Sequence, residues 1–451
     1  MKVAVIGAGI AGVATAHELA VAGHRVCVFE RRGGVAAEAS FGTNGVLSPA
    51  LRAPWATRSL PRPPWRSLPT LGTWWLRARR AAAAGSASDE AFWALARRSI
   101  ERLAHWRSRW PAEYERTDGV LYLWRESSAF ELALAACDRL RAAGVRVNAL
   151  DAEACRRLES GLSATAAISG GLLLPQAEAG NCRLAAHLWR DAAEQLGAEF
   201  RFGTVVRAID AGKSDATLRF EQLALTTGFA PTREGGETPR GRANGSSTDD
   251  RSAAQALLRQ RALAAARYLA PVGSETFDAV VICAGTEAAA LLAPLGLRLP
   301  LQTQTGQSLT LPLRSPERGP RSALVDVERD TTLTRLGERV RVSGGAELGP
   351  VRKQPSERGM QSLYRALDTW VPGCAHLSRP QAWHAARACL PDGLPMIGAV
   401  PGHASLWLNI AHGNAGWTLA AGSALRIAEA LDGRDTTDPG TDFFAPTAAR
   451  F

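Results

Sequence analysis

KVAVIGAGIAGVATAHELAVAGHRVCVFE, residues 2–30, is the stretch whose reading decides the fold. Lys2–Ile6 carries the apolar run VAVI of a short buried parallel strand, and Gly7-Ala8-Gly9-Ile10-Ala11-Gly12 follows without a spacer. Val13–Ala22 predicts a helix, Gly23-His24 ends it, and Arg25–Phe29 is a second apolar strand closed by Glu30. Strand, glycine turn, helix, strand and terminal acid in this order form the dinucleotide-binding unit in its full context. Gly7 permits the tight turn, Gly9 lets the backbone approach a diphosphate, and Gly12 allows the helix to lie close to the strand. The helix N-terminus then offers free N–H groups and a positive dipole end. Glu30 is placed to accept a hydrogen bond from a ribose hydroxyl, and its charge disfavours the 2′-phosphate of NADP. These residues alone leave FAD and NAD both open, because both use the unit.

The rest of the chain narrows the class. At 451 residues it is too long for one compact core and predicts two or three lobes. The net charge is +10, and Lys2, Lys213 and Lys353 are the only lysines, so arginine carries nearly all the positive charge. The arginines are scattered rather than gathered on one recognition element, which argues against nucleic-acid binding. Seven cysteines are widely spaced with no CxxC pair, so neither a zinc site nor a disulfide framework is indicated. That pattern fits a reducing, cytoplasmic compartment. No metal site is expected. The apolar start is broken by Gly7, Gly9 and Gly12 and then by His17, Glu18 and His24, unlike a signal sequence. No later run reaches the roughly 18 apolar residues of a spanning helix.

Beyond the opening unit, Arg31–Pro49 reads as a Gly-rich loop, and Ala50–Gly85 is rich in Pro, Arg and Trp. Helices are predicted over Ser88–Glu115, Ala129–Ala143, Ala185–Leu196 and Thr418–Leu431. Strands are predicted at Gly119–Trp124, Glu199–Ile209, Thr276–Ala284 and Ser405–Ile410. Leu299–Leu313, Ser322–Val327, Thr331–Leu336 and Arg339–Gly344 alternate like an antiparallel sheet. Gly228–Arg261 mixes Gly, Ser, Thr, Arg and acids, and reads as a disordered insertion.

Five blocks in order resemble the D-amino acid dehydrogenases, within the glycine oxidase-like and D-amino acid oxidase-like flavoproteins. They are residues 3–30, EASFGTNGVLSPALRAPWA (38–56), GGLLLPQAEAGNCRL (170–184), RVRVSGGAELG (339–349) and WHAARACLPDGLPMIGAVPGHASLWLNIAHGNAGWTLAAGSA (383–424). The resemblance implies an α/β plus α+β fold, a Rossmann-like FAD-binding domain with a mostly antiparallel-sheet substrate domain. The FAD-binding domain is expected from 1–49, 151–298 and 384–451, and the substrate domain from 50–150 and 299–383. By the same resemblance Gly7, Ala8, Gly9, Ile10, Ala11, Gly12, Glu30 and Arg31 bind the ADP half of FAD. Ser40, Asn44 and Gly45 lie beside the pyrophosphate or the ring, and Val206, Ala284 and Gly285 line the adenosine side. Gly413, Gly416, Trp417 and Thr418 face the isoalloxazine, and Arg387 pairs with a substrate carboxylate. His412 is the second catalytic candidate, either as a proton partner or through a structural hydrogen bond.

The implied reaction is hydride transfer from the α-carbon of a D-amino acid, giving a 2-oxo acid and ammonia, with a quinone as electron acceptor. An oxygen-using oxidase and an altered flavin-binding protein are the alternatives. Trp74, Trp75, Arg77, Arg79 and Arg80 either rest on the inner face of a membrane or pack the substrate domain. The chain also departs from the family pattern. Thr305-Gly306-Gln307-Ser308 stands where dehydrogenases of this group often have Lys-Gly-Tyr-Ser, and Ala385-Ala386-Arg387-Ala388-Cys389-Leu390 where they have Gly-Leu-Arg-Pro-Met-Thr. Ala411 replaces a glycine.

Overall fold

The computed structural model describes residues 1–53, 55, 68–84, 86–223, 272–349, 354–434 and 441–447. The insertion expected at 228–261 lies outside the described residues. Lys2–Ile6 is the central strand of a six-stranded sheet, with Arg25–Glu30 and then Glu199–Phe202 on one side. Ala279–Ile282 and His403–Ile410 lie on the other side, all parallel, and Met396–Val400 closes that edge antiparallel. Strands buried on both faces read as unbroken apolar runs, which is why AVVI and VAVI pair here. Helix Ile10–Val21 packs on the sheet beside Cys182–Gln195 and Gly416–Leu431.

A second, nine-stranded sheet runs from Gln381–Cys389 through Gln302–Pro312, Arg339–Leu348, Thr331–Leu336, Ala323–Asp326 and Thr117–Trp124 to Gly170–Ala179 and Val46–Leu47. Asn148–Leu150 pairs with Gly170–Ala179 beside this path. All its pairings are antiparallel except Ala323–Asp326 on Thr117–Trp124. Helix Glu357–Trp370, capped by the Ser356 hydroxyl, covers one face over Leu309, Leu311, Leu333, Val340 and Val342. A three-stranded antiparallel sheet of Thr204–Ala211, Ala216–Gln222 and Val272–Phe277 flanks the parallel one.

Two segments from the expected nucleotide-binding part pair in the nine-stranded sheet. Gly170–Ala179, assigned by sequence to the nucleotide-binding part, runs inside the nine-stranded sheet. Its run Leu172-Leu173-Leu174 serves both faces, with Leu172 and Leu174 in one core cluster and Leu173 against another. Gln381–Cys389 crosses the 383/384 boundary as one continuous strand of the same sheet. Helices Leu68–Ala84 and Glu357–Trp370 carry no sequence expectation, and the helix expected to Glu115 ends at Arg109.

A buried charge pair ties helix Ser86–Arg109 to helix Ile10–Val21. The Arg102 guanidinium, on helix Ser86–Arg109, donates to both oxygens of Glu18 at 2.6 to 3.1 Å. Glu18 is 4% exposed. Burial pushes its carboxyl up, but hydrogen bonds from His17 and Arg102 outweigh that and hold it below the ordinary value. Removing one partner strands the other charge in the interior. Arg102→Met is therefore expected to cost about 3 kcal/mol of unfolding free energy in urea. The double variant with Glu18→Gln should recover part of that loss.

Candidate functional site

The nucleotide end is built by glycines. Gly7 has φ +102°, and a Cβ there would stand 2.7 Å from the Cys283 carbonyl oxygen on the neighbouring strand. A Cβ on Gly12 would stand 1.9 Å from the Gly7 carbonyl oxygen. No side chain fits at either position. A groove of about 520 Å³ opens along this turn, lined by Gly7, Gly9, Ile10, Ala11, Glu30, Arg31, Val206, Ala284 and Gly285, and continues to His412, Gly413 and Gly416. Its length and mixed lining suit a dinucleotide laid along the strand ends.

The backbone donors at the turn are partly taken. The Ala8 N–H donates to Glu30 at 2.7 Å and the Ile10 N–H to the Ser40 hydroxyl at 3.0 Å. The helix N-terminus, expected to offer free N–H groups, thus has one of them, that of Ile10, already taken by Ser40. Glu30 also accepts from the Arg32 N–H at 2.7 Å. Burial raises its carboxyl above the ordinary value against those two hydrogen bonds, and each oxygen keeps a lone pair for a ribose hydroxyl. Arg31 is engaged by Glu38 at 2.7 Å and Glu287 at 3.3 Å.

A smaller cavity of about 270 Å³ adjoins the groove, and Ile10, Ser40, Arg387, Gly413 and Gly416 line both. Asn44 and Trp417 line the smaller one. Its floor is the nine-stranded sheet and its side is the loop Phe41–Asn44. The Arg341 guanidinium pins that loop, donating to the Phe41 and Thr43 carbonyls at 3.2 and 3.3 Å and to Thr310 Oγ1 at 3.0 Å. Burial pushes the Arg341 guanidinium down to about 10. Phe41 stacks on Trp383 at 4.1 Å, and Gly42 leaves the room this needs.

Arg387 stands where the two cavities meet. Its strand pairs with Gln302–Pro312 so that Arg387 faces Gln304. Its Nη2 lies 2.8 Å from where a Gly306 Cβ would be, so only glycine lets the guanidinium lie across that strand. The Arg387 Nε is buried without a hydrogen-bond partner, and among the described residues Arg387 makes no ion pair. An unpaired cation facing a cavity is a site for an anion.

His412 lines the groove but is buried, with Nε2 3.3 Å from the Ser423 hydroxyl. Burial pushes its imidazole down to about 4. Four expected residues line neither cavity. Ala8 and Gly12 pack the turn, and Gly45 (φ +77°) passes close to the Gly180 carbonyl. Thr418, fully buried, accepts from the Ser48 N–H at 3.2 Å. The structure adds residues that sequence reasoning missed: Asp330, Thr332, Ser343, Gln304, Trp74 and Cys389 line the smaller cavity. Trp74 donates to the Pro300 carbonyl at 2.8 Å, so this tryptophan packs the interior. The family departures Gln307, Ala385, Cys389 and Ala411 line the same cavity.

Among the described residues no group of His, Cys, Asp and Glu could hold a metal ion. None of the described helices is long and apolar enough to cross a membrane. The family model for FAD-dependent oxidoreductases matches residues 2–239 and 250–430. A D-amino acid dehydrogenase of Cereibacter sphaeroides is 33% identical over 472 aligned positions, covering 100% of this chain and 97% of the relative. Glycine oxidase from Geobacillus kaustophilus shares the fold at TM-score 0.69 and 19% identity, covering 99% of this chain and 98% of that one. L-proline dehydrogenase from P. horikoshii does so at TM-score 0.69 and 15% identity, covering 99% and 96%. Matched along nearly its whole length, the chain belongs to the FAD-dependent oxidoreductase family.

Proposed function

We propose that this protein oxidises a D-amino acid, with Arg387 holding the substrate carboxylate. The observation that carries the reading is the Arg387 guanidinium, without an ion pair among the described residues, at the junction of the groove and the smaller cavity. A planar fork of donors matches a carboxylate in two hydrogen bonds and fixes the orientation of the carbon it is attached to. The full-length likeness to D-amino acid dehydrogenases supports the choice of substrate class.

The groove fits FAD. Gly7 and Gly9 line it and leave the backbone bare where a diphosphate must approach, and helices Ile10–Val21 and Gly416–Leu431 both begin at its wall. When bound there, FAD supplies the acceptor for the hydride of the substrate α-carbon, and the imino acid formed takes up water to give a 2-oxo acid and ammonia. The chain's own work is positioning. Arg387 orients the substrate, the pinned loop Phe41–Asn44 shapes the cavity, and two helix N-termini supply positive potential at the junction. His412, neutral at pH 7, braces helix Gly416–Leu431 through Ser423 rather than moving a proton.

The acceptor in this reading is a quinone. Leu76, Arg77, Arg79 and Arg80 on helix Leu68–Ala84 are exposed, with Arg79 over the Trp75 ring at 4.9 Å. An apolar residue ringed by guanidinium groups suits peripheral contact with the inner face of an anionic bilayer, where such an acceptor resides.

Anaerobic addition of D-amino acids to the flavin-loaded protein is expected to bleach the flavin band, and no change with any D-amino acid, glycine, sarcosine or D-proline would refute the reading. Arg387→Ala should lower kcat/KM by roughly two to three orders of magnitude with flavin retained. With a soluble quinone, turnover should proceed with little hydrogen peroxide; peroxide equal to substrate consumed would identify an oxidase instead.

His412 gives a pH prediction. Its imidazole is held at about 4 in the fold against 6.5 when free, so the unfolded chain binds the extra proton between those values. Its contribution to stability is complete above pH 6.5 and is lost as pH falls toward 4, on the order of 3 kcal/mol in all. Urea unfolding at pH 7, 5.5 and 4.5 should show this slope, flatter in His412→Asn. An imidazole titrating near 6.5 in the folded protein would contradict it.

A further inference from the structure

The geometry points to a substrate with a cationic side chain, its charged end held by Asp330 across the smaller cavity from Arg387. This rests on the reading of Arg387 as the carboxylate anchor. Asp330 lies in the turn between Ala323–Asp326 and Thr331–Leu336 and lines the same cavity as Arg387. Its backbone is in the left-handed region at φ +49°, where Asp is among the side chains best tolerated. Thr332, two residues on in the strand, lines the same cavity.

The sheet register measures how far apart the two charges stand. The Arg387 guanidinium lies over Gly306 of Gln302–Pro312. The next strand is Arg339–Leu348, with Gly344 opposite Gln307, and a Gly344 Cβ would stand 2.8 Å from the Asp330 carbonyl oxygen. Asp330 is therefore two strand spacings, roughly 10 Å, from the strand under the guanidinium. The two side chains form no ion pair among the described residues. An α-ammonium sits beside its own carboxylate, and so stays near Arg387 when that carboxylate is bound there. The end of a lysine- or arginine-length side chain can extend to Asp330.

The lining between the two charges fits the same ligand. Ser343, Gln307 and Thr332 give the lining between them a polar character. Among the described residues the Asp330 carboxylate has no hydrogen bond or ion pair, and Arg387 is the sole cation of the lining. Ammonium and guanidinium groups are pure donors, and the Asp330 carboxylate is an acceptor. Asp330 lines the cavity and is exposed. The protein packed around it still raises its carboxyl above the ordinary value, with Arg387 pulling the other way. A bound cation would pull in the same direction as Arg387.

The test compares D-arginine and D-lysine with their uncharged counterparts D-citrulline and D-norleucine, by anaerobic flavin reduction and by steady-state kinetics with an artificial acceptor. The cationic member of each pair is expected to have kcat/KM higher by about tenfold or more, the scale of one charge-assisted hydrogen bond, expressed mainly in KM. Asp330→Asn should shrink that preference by a similar factor. Equal kinetics within each pair, with flavin reduced by both, would overturn the role of Asp330 and leave the D-amino acid reading standing. Failure of every D-amino acid to reduce the flavin would remove both. Should Asp330→Asn not fold, the wild-type comparison of D-arginine with D-citrulline decides.

Discussion

A methyl group on residue 12 would lie 1.9 Å from the carbonyl oxygen of Gly7, and the rest of the site depends on that contact being free. With no side chain there, helix Ile10–Val21 lies directly against the end of the central strand. Its axis then fixes Glu18 against Arg102 and so helps to fix helix Ser86–Arg109. It also brings Ile10 within reach of Gly416, where a Cβ would stand 4.0 Å from Ile10 Cγ2. Two helix N-termini from opposite ends of the chain thus begin at one place, where the groove passes into the smaller cavity. Their dipoles add there, which favours a bound diphosphate and any negative charge that develops beside it.

The second sheet supplies what the first cannot. A parallel sheet covered by helices offers a groove at its strand ends but no broad wall. The nine-stranded sheet provides the wall, and Gln381–Cys389 hands the chain straight back to the parallel sheet through Met396–Val400 and His403–Ile410. Arg387 is carried at the seam by that short path. Its reach across Gly306 and the pinning of loop Phe41–Asn44 by Arg341 are both consequences of side chains on one face of one sheet.

The nucleotide end was legible because its chemistry is local: three glycines, an acid and two apolar strands within residues 2–30. Strands with clean alternation, such as Thr331–Leu336, were legible for the same reason. Gly170–Ala179 was not, since its leading glycines and Pro175 mask a strand that exists only because partners flank it on both sides. Helix Leu68–Ala84 hid in a segment whose Pro, Trp and Arg content left membrane contact and interior packing both open; Trp74 is packed inside. Asp330 was invisible for a deeper reason. An acid in a polar turn means nothing until the register of three strands places it opposite Arg387 across a cavity, and register is a tertiary property.

The departures from the family pattern fall unevenly. The glycines and Glu30 of the opening turn, and the run Gly413 to Thr418, keep the expected residues. Gln307, Ala385, Cys389 and Leu390, where the pattern changes, line the smaller cavity, which also holds Asp330, while Ala386 and Ala388 line the groove and Ala411 lines both. Change therefore gathers around Arg387, which itself keeps the expected residue. A chain with net charge +10 repels cations at long range, but that field is screened beyond a Debye length of about 8 Å at physiological salt. Inside the cavity the balance is set by the groups that line it. Among the described residues one carboxylate, that of Asp330, and one guanidinium, that of Arg387, line it. In the proposed reading the substrate carboxylate neutralises the guanidinium, and the charge left among those residues is the negative one on Asp330, so an anchor for the carboxylate also makes the site attractive to a cationic side chain.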